Sequence, residues 1–536
     1  MRYLISCCLV LMAVSTTLGM APLLQQGNAR VVLVGDSITG LSRNFATGFA
    51  HQMDWALKET YSGCTPQIVA LGGSGQGVRS WLNTEKRSRT GQTFLDVKGI
   101  DVQAELAKPA DVLVIMLGMN DVLAPYVADD EKSVESWAEG YRELIANLQS
   151  RLHPKVTALG QATLCTEDVD SPKNCMIDKL NARAAKLAAE LKLLVLPTNA
   201  KMREVLDQGR RRKPDFHVTY DFVHPNEPGH IAVAMGMLAG LGESAATLIL
   251  EEKHLPAALE KACGPEPSLS YDVKPMSDGI AGRRETFMIR AWLPLPPGPA
   301  STGFFRLSAP GWQIDRITKN TREGAFFVTG VPDRLETLFK LEVECNGGTL
   351  VQEIRIPAPW LVAAGIPRPY WNGATTAFDA AKLHSPVDEA IAQGGDFISL
   401  PGVKWQRYHS SVNFTGGQAP GSVDFAAVTH APNFEGGYAA RWIYSERERP
   451  VKLALSVQAF AGNTHLGVRL NGALLYDDKL TSEPRKQKTV EGRLKKGWNT
   501  LVCTSSHMQW QWQHSVDLQG MEGDALEDLR YSAAPP

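Results

Sequence analysis

A hydroxyl, an imidazole, a carboxylate and a cluster of glycines stand in this sequence where together they could carry out acyl transfer. Ser37 lies in Gly35-Asp36-Ser37-Ile38-Thr39, and His224 lies in Asp221-Phe222-Val223-His224-Pro225. A serine hydroxyl is too weakly acidic to attack an ester unaided, so a base must accept its proton. Imidazole titrates near working pH and suits that task, which nominates His224. A carboxylate on the other ring nitrogen fixes the tautomer and stabilises the imidazolium, and Asp221 stands three residues before His224. Pro225 disfavours α conformation at His224, so a turn is expected there. The oxyanion of such a reaction needs N–H donors. The candidates are the backbone N–H groups of Ser37 and Gly75, the latter within Gly72-Gly73-Ser74-Gly75-Gln76-Gly77, and the side-chain amide of Asn120 in Gly118-Met119-Asn120-Asp121. Asp36 and Asp121 read as structural groups that hold their loops, and His217 and His230 as surface or capping residues.

These groups act together only if the chain delivers them to one place. Five short apolar runs, Val31–Val34, Gln67–Leu71, Asp111–Leu117, Val156–Leu159 and Leu193–Leu196, read as buried strands bounded by Gly, Pro or polar residues. Stretches with helical spacing separate them, including Trp137, Tyr141, Leu144, Ile145, Leu148 and Leu152, and then Ile177, Leu180, Ala184, Leu187 and Leu191. Strand–helix alternation predicts an α/β domain with a parallel sheet covered on both faces, over residues 29–260. Ligands of open α/β sheets bind outside the carboxyl ends of the strands. The Ser37, Gly75 and Asn120 segments follow the first three strands in turn. The Gly72–Gly77 run is no dinucleotide loop, because that fingerprint follows the first strand. Ser37 also lies outside the Gly-x-Ser-x-Gly elbow of α/β-hydrolases.

The four segments together resemble the sequence blocks of the SGNH/GDSL hydrolases. Gly35-Asp36-Ser37 resembles the nucleophile block and Gly75 the glycine oxyanion donor. Gly118-Met119-Asn120-Asp121 resembles the Gly-x-Asn-Asp block, and Asp221 to His224 the Asp-x-x-His block. Ala70 stands where that family's glycine block often has Asn, which leaves Gly72 and Gly73 beside Gly75 as oxyanion glycines. The resemblance covers roughly residues 29–250. It implies a flavodoxin-like three-layer α/β/α fold with a five-stranded parallel sheet, and ester hydrolysis without a cofactor or metal.

The second half of the chain differs in character. Pro and Gly become frequent, and alternating apolar residues suggest an Ig-like β-sandwich over residues 268–362, a poorly periodic stretch to 400, and a second sandwich over 400–520. Asn471-Gly472 between strand-like runs signals a hairpin turn. Val468 to Gly472 and Leu494 to Leu501 resemble framework strands of jelly-roll, galactose-binding-like modules on secreted carbohydrate enzymes. Trp510, Trp512, Tyr438 and Trp442 are either core residues or platforms for sugar rings.

Lys plus Arg is 55 and Asp plus Glu is 57, so the near-neutral chain carries no electrostatic footprint for nucleic acid. The basic run Arg210–Lys213 reads as a solvated loop. Arg2, the apolar stretch Leu4–Leu18 and Gly19-Met20-Ala21 read as a signal peptide over residues 1–21, which predicts a secreted or periplasmic protein without a later membrane segment. Export would permit disulfides among the six remaining cysteines, and Cys165 and Cys175 are close enough to close one loop. The expected function is a secreted serine esterase acting on O-acetyl esters of carbohydrates. A lipase or arylesterase, a polysaccharide O-acetyltransferase and a non-catalytic carbohydrate-binding protein are the alternatives.

Overall fold

In the computed structural model, the described residues are 23–25, 28–92, 99–124, 126–213, 216–221, 223–264, 269–276, 283–293, 304–318, 323–345, 348–367, 386–410, 421–425, 428–429, 435–459, 464–480, 485–507 and 512–536. The expected signal peptide, residues 1–21, lies outside them.

Five parallel strands form the first sheet: β1 (Arg30–Gly35), β2 (Gln67–Gly72), β3 (Val112–Met116), β4 (Val156–Gly160) and β5 (Leu194–Leu196), in the order β2-β1-β3-β4-β5. β1 and β3 are buried along their whole length, as near-continuous apolar strands covered on both faces must be. The covering helices are α1 (Ser37–Leu41), α2 (Phe49–Thr60), α3 (Val78–Ser88), α4 (Val102–Leu106), α5 (Met119–Leu123), α6 (Glu131–Leu152), α7 (Pro172–Leu191), α8 (Thr198–Arg212) and α9 (Glu227–Gly240). The predicted stripes on α6 and α7 face the core: Trp137, Tyr141, Leu144, Ile177, Leu180 and Leu187 are all buried. Further helical turns follow to Cys263. No helix among the described residues is long and apolar enough to cross a membrane.

Register matters more than content here. Gly35, the last residue of β1, sits opposite Gly72 of β2 and Met116 of β3. The loops after β1, β2 and β3 therefore begin at one level of one sheet edge. Close packing at that edge demands glycine. A Cβ on Gly72 would lie 1.9 Å from the Gly40 backbone nitrogen, because α1 rests directly on the end of β2.

The remainder of the chain is antiparallel. β6 (Ser270–Pro275), β7 (Glu285–Trp292), β8 (Phe304–Ser308), β9 (Gln313–Arg316), β10 (Glu323–Gly330), β11 (Glu336–Cys345) and β12 (Gly348–Pro357) make two sheets, β6-β7-β10-β9 and β12-β11-β8. Phe287, Ile289 and Val328 of one and Phe305, Phe339, Leu341 and Ile354 of the other share a single core, so the pair is a sandwich.

A second sandwich begins earlier than the sequence suggests. β13 (Trp360–Pro367) joins β14 (Gln406–Tyr408), β16 (Glu435–Ser445), β18 (Thr464–Leu470), β19 (Ala473–Leu480) and β21 (Gly497–His507) in the sheet β14-β13-β16-β21-β18-β19, with β23 (Arg530–Ser532) beside β16. Its partner sheet is β15-β22-β17-β20, from Ser422–Asp424, Trp512–Gln519, Arg449–Ala459 and Arg485–Leu494. β13 spans the end expected for the first sandwich at 362, and the weakly patterned stretch beyond it holds a helix at Pro386–Gln393. The reason is physical. Trp360 and Val362 enter the core between the sheets while Leu361 and Ala363 enter a second core on the outer face, so this strand has no polar side to alternate with. Asn471 (φ 54°) and Gly472 (φ 81°) form the expected tight hairpin between β18 and β19.

Only Ala358 and Pro359 separate β12 from β13. Both carbonyls accept hydrogen bonds from the fully buried Arg441 guanidinium, which lies over the Trp360 ring at 4.1 Å. The Ala358 and Tyr531 N–H groups donate to the Leu335 and Asp333 carbonyls.

Among the described residues, Cys64, Cys165, Cys175 and Cys503 are free thiols. Cys165 and Cys175 do not close the suggested loop. The Cys165 sulfur is buried against the Met119 sulfur at 3.2 Å, whereas Cys175 is exposed on α7.

Gly72→Ala should destabilise the parallel-sheet domain by about 3 kcal/mol, since the added methyl meets backbone that cannot yield without shifting α1. Urea unfolding checks this; an unchanged midpoint would contradict the packing described.

Candidate active site

Each chemical group identified in the sequence sits at the sheet edge for a local reason. Asp36 leaves β1 in extended conformation and caps α1 by accepting from the Ile38 N–H at 2.9 Å, which puts Ser37 in the first turn. Beyond β2 the chain needs glycine twice. Gly75 adopts φ +68°, and a Cβ on Gly77 would fall 2.5 Å from the Asp121 carboxylate. Beyond β3, Gly118 turns at φ +130° into α5, which carries Asn120. Asp121 ties the second and third loops together: its carboxylate accepts from the Val78 N–H, with 3.1 Å to the nearer oxygen.

The fourth group arrives from a distant part of the chain. His217 and Asn226 close this segment: the Asn226 side chain caps α9 and donates to the His217 carbonyl. The Tyr220 N–H donates to the His224 carbonyl at 3.0 Å. Within this turn Asp221 accepts from the Val223 and His224 N–H groups at 3.1 and 2.7 Å through Oδ1. Its Oδ2 lies 2.6 Å from His224 Nδ1, and His224 Nε2 lies 2.8 Å from Ser37 Oγ. An ionised carboxylate only accepts, so it selects the Nδ1–H tautomer and leaves the Nε2 lone pair facing the serine hydroxyl. The Tyr220 ring stacks on the imidazole at 5.7 Å, and Phe45 meets Tyr220 at 6.0 Å.

The structure thus brings Ser37, His224 and Asp221 into one hydrogen-bonded series. Gly75 and Asn120 stand on the neighbouring strand-end loops. Asn120 donates one amide N–H to the Gln76 carbonyl at 3.1 Å, which fixes its orientation and leaves its second N–H. Among the described residues the N–H groups of Ser37 and Gly75 bond to no protein acceptor, whereas Gly73 donates its own to the Gly35 carbonyl. That separates Gly75 from Gly73 as a free donor. A cavity of about 940 Å³ lies elsewhere, between α8 and the first sandwich. Arg210, Tyr271, Trp292 and His409 line it, and none of the five residues above does.

Burial sets the electrostatics. It pushes Asp36 up to about 7, opposed by the Ile38 N–H and by His224, and pushes Asp121 up to about 6. The two carboxylates hold backbone, as expected of structural groups. His230 departs from its expected surface or capping role, whereas His217 stays partly exposed. His217 Nδ1 lies 2.5 Å from the carboxylate of the buried Glu167. His230 is 2% exposed, packs against Phe45 and Phe49, and has no hydrogen-bond partner for either ring nitrogen among the described residues. It occupies the first turn of a helix that is buried from Pro228 to Leu238, a burial that its polar residue type conceals. The sequence alone does not single out Tyr220 or Glu167; adjacency to Asp221 flags Tyr220, but nothing local marks Glu167.

Burial, aided by His224, lowers the His230 imidazole to about 4. The folded protein therefore refuses a proton that the unfolded chain binds at its ordinary value near 6.5. The stability this gives is complete above about pH 6.5 and is lost as pH falls toward 4. His230→Phe should accordingly lose less stability than the parent between pH 7 and 4.5, by about 2–3 kcal/mol. Asp36 and Asp121 titrate in both proteins and cancel from the difference. Urea unfolding across this range gives the comparison, and parallel curves would refute it.

Residues 33–232 match the model of the GDSL-like Lipase/Acylhydrolase family. An acetylxylan esterase from Geobacillus stearothermophilus is 23% identical over 225 residues, which are 40% of this chain and 94% of that enzyme. Its crystal structure aligns at 22% identity with 41% of this chain and 96% of its own, with a TM-score of 0.32. LAE5, an alpha/beta hydrolase enzyme from the metagenome of Lake Arreo in Spain, aligns at 19% identity with 41% of this chain and 98% of its own, also with a TM-score of 0.32. By the family match and the esterase relative, this chain carries an ester hydrolase domain.

Proposed function

We propose that this protein is a serine esterase that removes acetyl groups from O-acetylated carbohydrate, with Ser37 as nucleophile, His224 as proton carrier and Asp221 as its orienting carboxylate. The observation that carries the reading is the unbroken series Asp221 Oδ2, His224 Nδ1, His224 Nε2, Ser37 Oγ, with spacings of 2.6 and 2.8 Å across the two contacts between residues. As His224 Nε2 takes the hydroxyl proton, Ser37 Oγ attacks the ester carbonyl carbon. Negative charge gathers on the carbonyl oxygen, where the N–H groups of Ser37 and Gly75 and the Asn120 amide stabilise it. The imidazolium, steadied by Asp221, then protonates the departing sugar hydroxyl. Water hydrolyses the acyl-serine through the same steps, with His224 again as base.

The acetyl and carbohydrate parts of the reading draw support from the acetylxylan esterase relative, matched over 94% of its length. The Phe45–Tyr220 pair beside His224 offers an aromatic wall of the kind that packs against a sugar ring. Export rests on the residue pattern of 1–21. Glycan binding by the second sandwich rests on fold analogy with Trp510 and Trp512 as the remaining platforms; those side chains lie outside the described residues, while Tyr438 and Trp442 are buried core.

Purified protein should hydrolyse p-nitrophenyl acetate faster than longer acyl esters and release acetate from acetylated xylan. Ser37→Ala should lower kcat by about 10⁴-fold or more, and Asn120→Ala by about 10²–10³-fold. Equal rates for Ser37→Ala and the parent would remove Ser37 from the mechanism. A preference for long acyl chains would move the substrate class to lipids, and acetyl transfer to added sugar in place of acetate release would make the protein a transferase.

A further inference from the structure

We propose that Glu167 is a positioning residue for the reaction, acting through the loop that carries His224; the inference rests on the Ser37–His224 reading above. Glu167 lies between β4 and α7, far from the ester site in sequence, and is 1% exposed. Its Oε1 accepts from the Val218 N–H at 3.0 Å, the Thr219 N–H at 2.8 Å and the Thr219 hydroxyl. Its Oε2 meets His217 Nδ1 at 2.5 Å and stands 3.6 Å from the Arg210 guanidinium. One carboxylate thus engages three consecutive residues, His217, Val218 and Thr219, immediately before the turn that contains Asp221 and His224.

The anchor is itself fixed. Asn174, wholly buried in the first turn of α7, accepts from the Cys165 N–H at 2.9 Å and donates to the Thr166 and Asp168 carbonyls at 2.8 and 2.6 Å. The backbone on both sides of Glu167 is therefore bolted to a helix. At the far end of the loop, Asn226 caps α9 and bonds back to the His217 carbonyl. The loop hangs between two helix N-termini, and Glu167 is its connection to the first. Releasing that end allows the loop, and with it the imidazole, to drift from Ser37 Oγ. A displacement of about 1 Å at a reacting group can lower the rate roughly 10²-fold. Substrate contacts elsewhere would be untouched, so the loss belongs in kcat.

Glu167→Ala, Glu167→Gln and Thr219→Val test this in the full chain, with p-nitrophenyl acetate kinetics, thermal unfolding and the rate at which a fluorophosphonate labels Ser37. In labelling, the serine oxygen bonds to phosphorus, fluoride leaves, and His224 accepts the proton. Glu167→Ala should lower kcat and the labelling rate together by about 10–100-fold with KM within about twofold. Glu167→Gln keeps a carbonyl oxygen for the Val218 and Thr219 N–H groups and should restore both rates to within about fivefold of the parent. Thr219→Val, which removes one donor and keeps the backbone bonds, should give a smaller parallel fall and decides the matter if Glu167→Ala does not fold. A Glu167→Ala protein with parental kcat and labelling, or with only KM raised, would overturn the inference. So would a foldable Thr219→Val identical to the parent where the alanine variant does not fold. Failure of the esterase reading would look different: the parent itself would neither label at Ser37 nor depend on it.

Discussion

Parallel pairing in register is the constraint on which the rest of the molecule depends. Gly35 lies opposite both Gly72 and Met116, so three separate loops leave the sheet side by side at one height. Backbone pairing between the strands already gathers the Ser37, Gly75 and Asn120 segments. Only the imidazole must be brought from a remote part of the chain. The 2.8 Å contact from Ser37 Oγ to His224 Nε2 joins positions 187 residues apart. It depends on the segment from His217 to Asn226, where carboxylate and amide side chains join a few backbone bonds in setting the order.

Carboxylates supply most of that order. Asp36 holds the Ile38 N–H, Asp121 the Val78 N–H, Asp221 the Val223 and His224 N–H groups, and Glu167 the Val218 and Thr219 N–H groups. Every loop around the site is thus pinned by an acid that accepts from backbone. Hydrogen bonds to charged acceptors are stronger than neutral ones, which suits loops that must keep their shape without a ladder. The cost is desolvation, visible in Asp36 at about 7 and Asp121 at about 6. The arrangement exchanges some neutral-pH stability for rigid placement, a common bargain at functional sites.

The parallel strands were legible because strands buried on both faces are short, nearly unbroken apolar runs between glycines. The chemical groups of the site were legible because few residue types can serve, and their loops follow strands in order. β13 was not, for the same reason that helped earlier: apolar on both faces, it shows no alternation, and without a neighbouring helix nothing marks it as a strand. His230 and Glu167 illustrate a different limit. Each is a polar residue whose meaning comes from burial, and burial is set by partners such as Phe49 or Thr219 that are far away in sequence. A formal charge count places Glu167 with the solvated acids.

The two-residue passage from β12 to β13 bears on how such a chain can be divided. Arg441 caps the Ala358 and Pro359 carbonyls from within the second sandwich, and Tyr531, near the far end of the chain, reaches back to Asp333. A cut at this point would strip an interior arginine of its acceptors and remove a strand paired on both sides from the larger sheet. The two sandwiches therefore behave as one inheritable block and not as beads on a string. A division of the chain that spares these contacts falls before Ser270, where the first antiparallel strand begins.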